Sequence, residues 1–546
     1  MKLKINNLTL SILFIIFGAI TIIGCSKKSD LSNDHSLYIL RQDVGSEPPT
    51  LDPALAEDTS SNRIMYDLFA GLLDFDQENN PISGLAESWE SSADGKTYTF
   101  HLRKGLKFSD GSPIDSSDFV YSWRRLVDPK TASPYNFLLS SVVNAKQIIA
   151  SQAKSSILGV YAPDQYTFVV KLEHPDPYFL REILLMNAGV VPRKIIEKYG
   201  TKWTDPKNII TSGAYKLKEH VVNGYVLAEK NPYYYDANNI SIKQVKYLPF
   251  ENNNITISSY KSGGLDITFQ SVPVDQYADL QRHYKDQLHT VLQEAIYYYD
   301  FNMKDPIFSN NLKLRKALSM AVDRNVLVKK VLKQNQQALY SLVTPTVNNG
   351  AYKDVKYDWA EWPRTKQVEV ARKLFTETLY NTKNPLKLTI SYNTNDTHKR
   401  VALAIAAMWK QVFGSAIQVN LQNQDWKTFI QARHKGSYQL ARDGWVADYN
   451  GVTSYTNLYE CGGGANNSHY CNKKYNILLD QAMNELDRDK RIGLIKQALS
   501  LAMNDYATIP LFQYSYQQLI KPYVKGYNPD NNYLEHMQTK WMKIEK

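Results

Sequence analysis

Ala441-Arg442-Asp443-Gly444-Trp445-Val446-Ala447-Asp448-Tyr449-Asn450 follows a short alternating stretch, 438–441, that reads as a strand, and the pattern predicts a loop leaving that strand's end. It sets an indole beside an acid. Asp448 stands between apolar Val446 and Ala447 and aromatic Tyr449, so burial near Trp445 would strip its carboxylate of water and make an unpaired charge costly. Such an acid calls for a cation. A ligand ammonium fills that role if the protein supplies none; the competing reading is a loop acid that caps a turn through local hydrogen bonds.

Outward from this stretch the last third of the chain alternates. Helix 366–380 precedes strand 386–392, helix 398–413 precedes strand 417–421, and helix 426–433 precedes strand 438–441. That is α/β organisation, in which ligands sit at the carboxyl ends of strands. Helices near 473–505 and a strand near 508–520 end the chain. Towards the amino end, 37–44 reads as a strand, Ser60 and Ser61 are candidate caps for a helix, and Ile64, Met65, Leu68, Phe69, Leu72 and Leu73 share one face of it. Tyr98, Phe100 and Leu102 alternate as in a half-buried strand. Asp115 to Asp118 offers a capping-box-like start for a helix that turns Phe119, Val120, Trp123, Leu126 and Val127 inward. Residues 163–172 and 212–229 read as strands and hairpins, and after Tyr297-Tyr298-Tyr299 one long amphipathic helix is expected over about 310–332. Tyrosine outnumbers phenylalanine 38 to 18, which suits surfaces that need flat contact area with a polar tip.

At 546 residues the chain exceeds one core, so two or three domains are expected. Lys2 and Lys4 precede an apolar run, 8–23, and Ile22-Ile23-Gly24-Cys25 resembles the lipobox of bacterial lipoproteins. Residues 1–24 then read as a cleaved leader, Cys25 as the lipid-bearing residue, and 25–36 as a polar tether. Losing Lys2 and Lys4 lowers the formal charge from +10 to +8. The remaining basic residues are spread among acids, with no aromatic-interleaved basic groove, which argues against nucleic acid. Cys461 and Cys471 flank Gly462-Gly463-Gly464 and an Asn-rich segment. In an oxidising envelope compartment they read as a disulfide, adding about 3 kcal/mol by chain entropy. No second CxxC or HxxxH completes a metal site with His469, and no P-loop, GxSxG elbow or HExxH helix occurs. No cofactor is expected.

With these residues assembled, the chain resembles the periplasmic oligopeptide-binding proteins, the solute-binding family 5 receptors of peptide ABC importers, over nearly its whole mature length. The resemblance is carried by Gly45-Ser46-Glu47 through Leu51-Asp52-Pro53, Leu85 to Trp89, Phe100 to Arg103, Phe108 to Gly111, Phe119 to Trp123, and Asp128-Pro129 with Ala132 to Tyr135. It continues through Gln424 to Phe429 and Gly444 to Asn450 with Thr453-Ser454. It implies a periplasmic-binding-protein type II fold, α/β, of two lobes with a discontinuous chain and an extra domain (cluster C). Mapped here, lobe I takes 37–69, 193–294 and 515–546, extra domain II takes 70–192, and lobe III takes 295–514.

By the same resemblance Asp448 meets a peptide's α-ammonium, while Arg442 and His398 neutralise the carboxylate of peptides of different length. His398 helps most when protonated. Glu57 and Thr59 match a segment that bonds peptide backbone, and Tyr135, Trp426, Trp445 and Gly444 match the site lining. Three positions depart from the family pattern. Asp305 stands where a carboxylate-binding lysine is expected, Asp443 puts an extra negative charge where a small neutral residue stands, and Val446 replaces a cysteine that in some relatives ties the loop down. The implied protein is a monomeric, non-enzymatic lipoprotein at the periplasmic face of a bacterial membrane. It would capture short peptides by hinge closure and pass them to an ABC permease and ATPase. The alternatives are a receptor for murein peptides or another small solute, and an envelope hydrolase using Asp448 with Glu57.

Overall fold

The computed structural model describes residues 38–269 and 271–545. The expected leader, the tether and the lipid acceptor Cys25 lie outside the described residues. Three main sheets carry the chain. One four-stranded sheet runs in the order Ile39–Asp43, Gln244–Leu248, Tyr225–Lys230, Tyr215–Val221, and a second in the order Ala86–Ser91, Thr97–Leu102, Thr167–Lys171, Val160–Asp164. The third has six strands in the order Gln337–Ala338, Thr508–Leu519, Leu288–Phe301, Leu440–Val446, Leu386–Asn393, Ile417–Gln424. Within it Leu386–Asn393 is parallel to both Ile417–Gln424 and Leu440–Val446, whereas Leu288–Phe301 runs antiparallel to its neighbours.

Two large apolar cores result. Trp359 and Trp409 anchor one, under the six-stranded sheet, and Trp123 and Trp203 anchor the other, which runs continuously beneath both four-stranded sheets. The two long strands Leu288–Phe301 and Thr508–Leu519 connect these regions. Their pairing slips between Leu292 and Ile296, where the bulged segment gives its Glu294 carbonyl to Ala447 N–H at 2.7 Å. A bulge there bends both strands at one level. Among the described residues no helix is long and apolar enough to cross a membrane.

Most expected elements form, including the capping box of Asp115 and Asp118 on helix Ser116–Val127. Four readings need correction. The helix expected to carry Leu72 and Leu73 ends at Leu68, where Phe69 turns extended, and Leu73 opens the short strand Leu73–Phe75. The helix after residue 58 is capped by the Asp58 side chain, which accepts from Ser61 N–H at 3.0 Å, and not by Ser60 or Ser61. The expected helix 310–332 breaks after Leu312–Ala321, because Val322 is extended and Asp323 caps a new start. Arg324, fully buried, donates to the carbonyls of Ser319 (3.0 Å), Leu339 (3.0 Å) and Pro510 (2.7 Å) across that break, and the chain then widens into a π-helix, Leu327–Leu332. Finally, the strand expected at 438–441 extends as Leu440–Val446, so Asp443, Gly444 and Trp445 lie on a sheet instead of in a loop. Pairing with Leu288–Phe301, from Phe301↔Leu440 to Ala295↔Val446, holds them there. Cys461 and Cys471 are bonded, with an S–S distance of 2.14 Å.

The Leu51-Asp52-Pro53 motif explains how the two four-stranded sheets share a core. Asp52 accepts both guanidinium arms of Arg125, from helix Ser116–Val127, together with Trp203 Nε1–H at 3.0 Å and its own Ala54 N–H at 3.1 Å. Asp52→Ala strands an arginine and an indole N–H at once. It is expected to cost about 3 kcal/mol, read as a lowered Tm in thermal unfolding; an unchanged Tm would remove Asp52 from the joint.

Candidate functional site

Three parallel strands end on one side of the six-stranded sheet, and each delivers a side chain there. Leu386–Asn393 leads to Asn395, which caps helix Asp396–Phe413 and sets His398 in its first turn. Ile417–Gln424 leads to Asp425, which caps helix Trp426–Lys435 through Thr428 N–H at 3.0 Å. Leu440–Val446 carries Arg442, Gly444 and Trp445 and runs on to Asp448. The facing wall comes from outside the six-stranded sheet, through Glu57, Thr59, Tyr66, Tyr135 and Phe250, with Tyr66 in the second large core and Tyr135 and Phe250 in smaller apolar clusters.

Between the walls lies a cleft of two chambers that share Thr59, Trp426, Arg442 and Tyr514. Glu57, Tyr135, Gly444, Trp445 and Asp448 line the first, and His398 lines the second. All nine expected site residues therefore border one continuous space. Lys304 and Asp305 line neither chamber; the Asp305 carboxylate caps a short helix, accepting from Ile307 N–H at 2.9 Å.

Asp448 is 7 % exposed. Its carboxylate accepts the Tyr135 hydroxyl at 3.1 Å and the Ser454 hydroxyl at 3.1 Å, and Ser454 Oγ takes the Asp448 N–H at 2.8 Å. Hydroxyls do not cancel a charge. Burial pushes this carboxyl up to about 7 against the weaker pull of those bonds, and among the described residues no cation offsets it. Trp445 stacks over Tyr135 at 6.1 Å and 15°, which closes the apolar side of the acid.

Arg442 is buried. It donates to Tyr514 Oη and, at 3.4 Å, to Asn393 Oδ1, and lies 5.1 Å over the Tyr297 ring. None of these partners is an anion. Gly444 leaves room for this arrangement, since a Cβ there would come within 2.6 Å of the Tyr514 hydroxyl. His398 departs from expectation: burial, and then the nearby Arg442 charge, hold its imidazole well below the usual histidine range, so it is neutral at pH 7. Glu57 pairs with His434 Nε2 at 2.9 Å.

The extra acid is also settled differently from expectation. Asp443 forms a buried ion pair with Arg433 and takes Gly444 N–H at 2.7 Å and Asn467 Nδ2 at 3.2 Å, so its charge is neutralised within the protein. Against the effect of burial, Arg433 and a hydrogen bond with Asp300 keep Asp443 below the usual carboxylate range. Burial, reinforced by the Asp443 charge, holds Asp300 protonated. The sequence reading missed Arg433 and Tyr514. Arg433 lies two helical turns beyond Trp426, on the same face, and that spacing was the available signal.

With this geometry in hand the comparisons are specific. The family described as bacterial extracellular solute-binding proteins, family 5 Middle, matches residues 80–467. The periplasmic oligopeptide-binding protein OppA of Salmonella typhimurium is 39 % identical over 499 residues, covering 90 % of this chain and 91 % of that protein. A structure of Haemophilus influenzae OppA in complex with RPPGFSPFR superposes with a TM-score of 0.90 at 37 % identity, covering 93 % of this chain and 99 % of the other. The Escherichia coli murein tripeptide binding protein MppA gives 0.89 at 33 % identity, covering 93 % and 98 %, whereas an unliganded open form of MppA gives 0.62.

The cluster around Arg433 makes an asymmetric prediction. Asp443→Ala leaves Asp300 free to ionise and replace the lost partner, whereas Arg433→Met leaves a buried carboxylate with no cation. Arg433→Met is expected to destabilise by about 3 to 5 kcal/mol and Asp443→Ala by clearly less, compared by thermal unfolding. Equal losses would mean that Asp300 is not coupled to the pair.

Proposed function

The chain belongs to the bacterial extracellular solute-binding proteins of family 5, and from that premise we propose that it captures short peptides in this cleft and delivers them to the permease and ATPase of an ABC importer. The observation that carries the reading is Asp448, a carboxylate closed off from water with hydroxyls for partners and no cation. A peptide's α-ammonium is the group it lacks. Arg442, whose partners are all neutral, is the counterpart for the peptide carboxylate, with neutral His398 as a hydrogen-bond partner beside it. Glu57 and Thr59 meet peptide backbone, and Tyr135, Trp426, Trp445 and Gly444 shape the space around side chains. Main-chain hydrogen bonds of this kind give affinity without reading sequence.

Capture in this reading is a hinge closure about the bulge in Leu288–Phe301 and Thr508–Leu519, between lobe I (37–69, 193–294, 515–546) with domain 70–192 and lobe III (295–514). The chain superposes far better on a peptide-bound relative than on the open form of MppA, which supports taking the present arrangement as the closed state. The protein acts as a non-enzymatic monomer held to the membrane's periplasmic face through lipid on Cys25. A murein peptide is the second cargo to consider, favoured by the TM-score of 0.89 to MppA. It too presents peptide groups to the same cleft.

Closing without a ligand has a definite cost. Asp448 has an ordinary carboxylate's affinity for protons when wet, near 3.9, and about 7 in the closed cleft, so empty closure at pH 7 or above costs roughly 4 kcal/mol. Because the closed form holds more protons between those values, acidification from pH 8 to pH 5 favours empty closure. Asp448→Asn removes the Asp448 share of the penalty and of its pH dependence, while Asp58 and Glu535, which line the same chamber and are raised by burial to about 6 and about 7, keep theirs. Small-angle scattering of the empty protein is expected to show a more compact Asp448→Asn variant at pH 8 and convergence with the parent near pH 4; identical profiles at pH 8 would contradict this cost.

Binding itself gives the direct check. Asp448→Ala, or acetylation of the peptide's amino end, is expected to weaken binding by about 2 to 5 kcal/mol in calorimetry, as loss of one member of a buried charge pair does. Undiminished affinity in both cases would withdraw the role given to Asp448.

A further inference from the structure

Beyond the second chamber lies another cavity, whose walls include none of the residues given a ligand role above. It opens to solvent beside the π-helix Leu327–Leu332 and the edge strand Gln337–Ala338. Its wall carries Lys329, Lys333, Lys353 and Lys356 against the single carboxylate of Glu361. Lys356 is paired with Glu361 at 2.6 Å; among the described residues the other three lysines make no salt bridge. An open, polar space with uncompensated positive charge suits an anionic chain end.

This cavity is not isolated from the ligand cleft. Gln336 lines both it and the second chamber, and its Oε1 accepts Gln334 N–H at 3.1 Å. On the cleft side Gln517 lines the second chamber, its Nε2 bonding the Gln334 carbonyl at 2.9 Å and its Oε1 buried without a donor among the described residues. On the outer side Leu339 N–H is turned inward to the Leu511 carbonyl at 3.1 Å. Strand alternation therefore directs the backbone groups of Ala338 away from the sheet, at the cavity wall.

We propose that a peptide too long for the two inner chambers passes Gln336 and lays its carboxyl-terminal part in this outer cavity, where Lys329, Lys333 and Lys353 favour acidic ends. This rests on the peptide-receptor reading above and extends it to a class of cargo: longer peptides with acidic carboxyl-terminal residues. Gln336 is then a length filter, and the lysines set specificity beyond it.

The test is calorimetry on the full chain with three probes: trialanine, an alanine-rich decapeptide ending in Glu-Glu with a free carboxylate, and the same decapeptide ending in Gln-Gln with an amide. The acid-ended decapeptide is expected to bind about fivefold tighter than the amidated one at low salt, as a few exposed ion pairs allow. The triple variant Lys329→Gln, Lys333→Gln, Lys353→Gln should abolish that difference. Gln336→Trp should weaken both decapeptides at least about tenfold and leave trialanine unchanged. Equal binding of the two decapeptides, a preference that survives the triple variant, or Gln336→Trp leaving decapeptide affinity intact would each overturn the proposal. So would decapeptides that fail to bind while trialanine binds, and in that case the peptide-receptor reading stands. Should none of the three bind, the receptor reading itself falls, and this proposal with it.

Discussion

A carboxylate enclosed without a cation is the constraint on which the rest of the cleft depends. Asp448 is kept from water by Trp445, Tyr135 and the closing of two walls, and it is offered only the hydroxyls of Tyr135 and Ser454. In a protein selected for stability alone, an arginine would have been placed beside it, as Arg433 is placed beside Asp443 and Arg125 beside Asp52. The contrast is informative. Asp443, which lines the same cleft, is balanced by Arg433, whereas Asp448 is left without a cation among the described residues, and Arg442 has neutral hydrogen-bond partners in the adjoining space. Two complementary charges without protein counterions, on one line of a cleft, describe a receptor for something carrying both signs.

The scaffold makes that imbalance tolerable. Parallel strands Leu386–Asn393, Ile417–Gln424 and Leu440–Val446 end together, so His398, Trp426 and the Arg442-to-Asp448 stretch are placed by sheet register and capped helices instead of by mobile loops. Rigid placement keeps an unpaired acid from relaxing into a self-made bond. The opposing wall is built from a second large core and smaller clusters, and the pairing of the two long strands is bulged between Leu292 and Ile296. In the proposed reading, the energy that closure loses at Asp448 is regained when an ammonium enters, which would tie the conformational change to occupancy.

Much of this was legible from residue order. Period-two and period-3.6 patterns located nearly every element of the last third, and the apolar neighbours of Asp448 pointed to its burial before any packing was seen. What stayed hidden depends on contacts remote in sequence. The strand through Gly444 and Trp445 exists because Leu288–Phe301 pairs with it, and nothing local in a Gly-Trp step announces that. The break at Asp323 follows from Arg324 reaching carbonyls at Leu339 and Pro510, which a helical periodicity count cannot register. His398 looked like a proton switch. It is neutral because burial and Arg442 act on it together, and Asp443 has a cation of its own because Arg433, near the end of the preceding helix, meets it.

The central claim is that the ligand's ammonium supplies the charge Asp448 lacks, and the protonation of that one carboxyl reports it. Carbon-13 NMR of aspartate-labelled protein, with the Asp448 signal assigned by its loss in Asp448→Asn, can follow this carboxyl through a pH titration in the peptide complex. With a free-amine peptide bound, the account predicts a midpoint below the ordinary aspartate value of about 3.9; with the N-acetylated peptide the midpoint stays raised. A midpoint still near 7 with the free-amine peptide bound would contradict it.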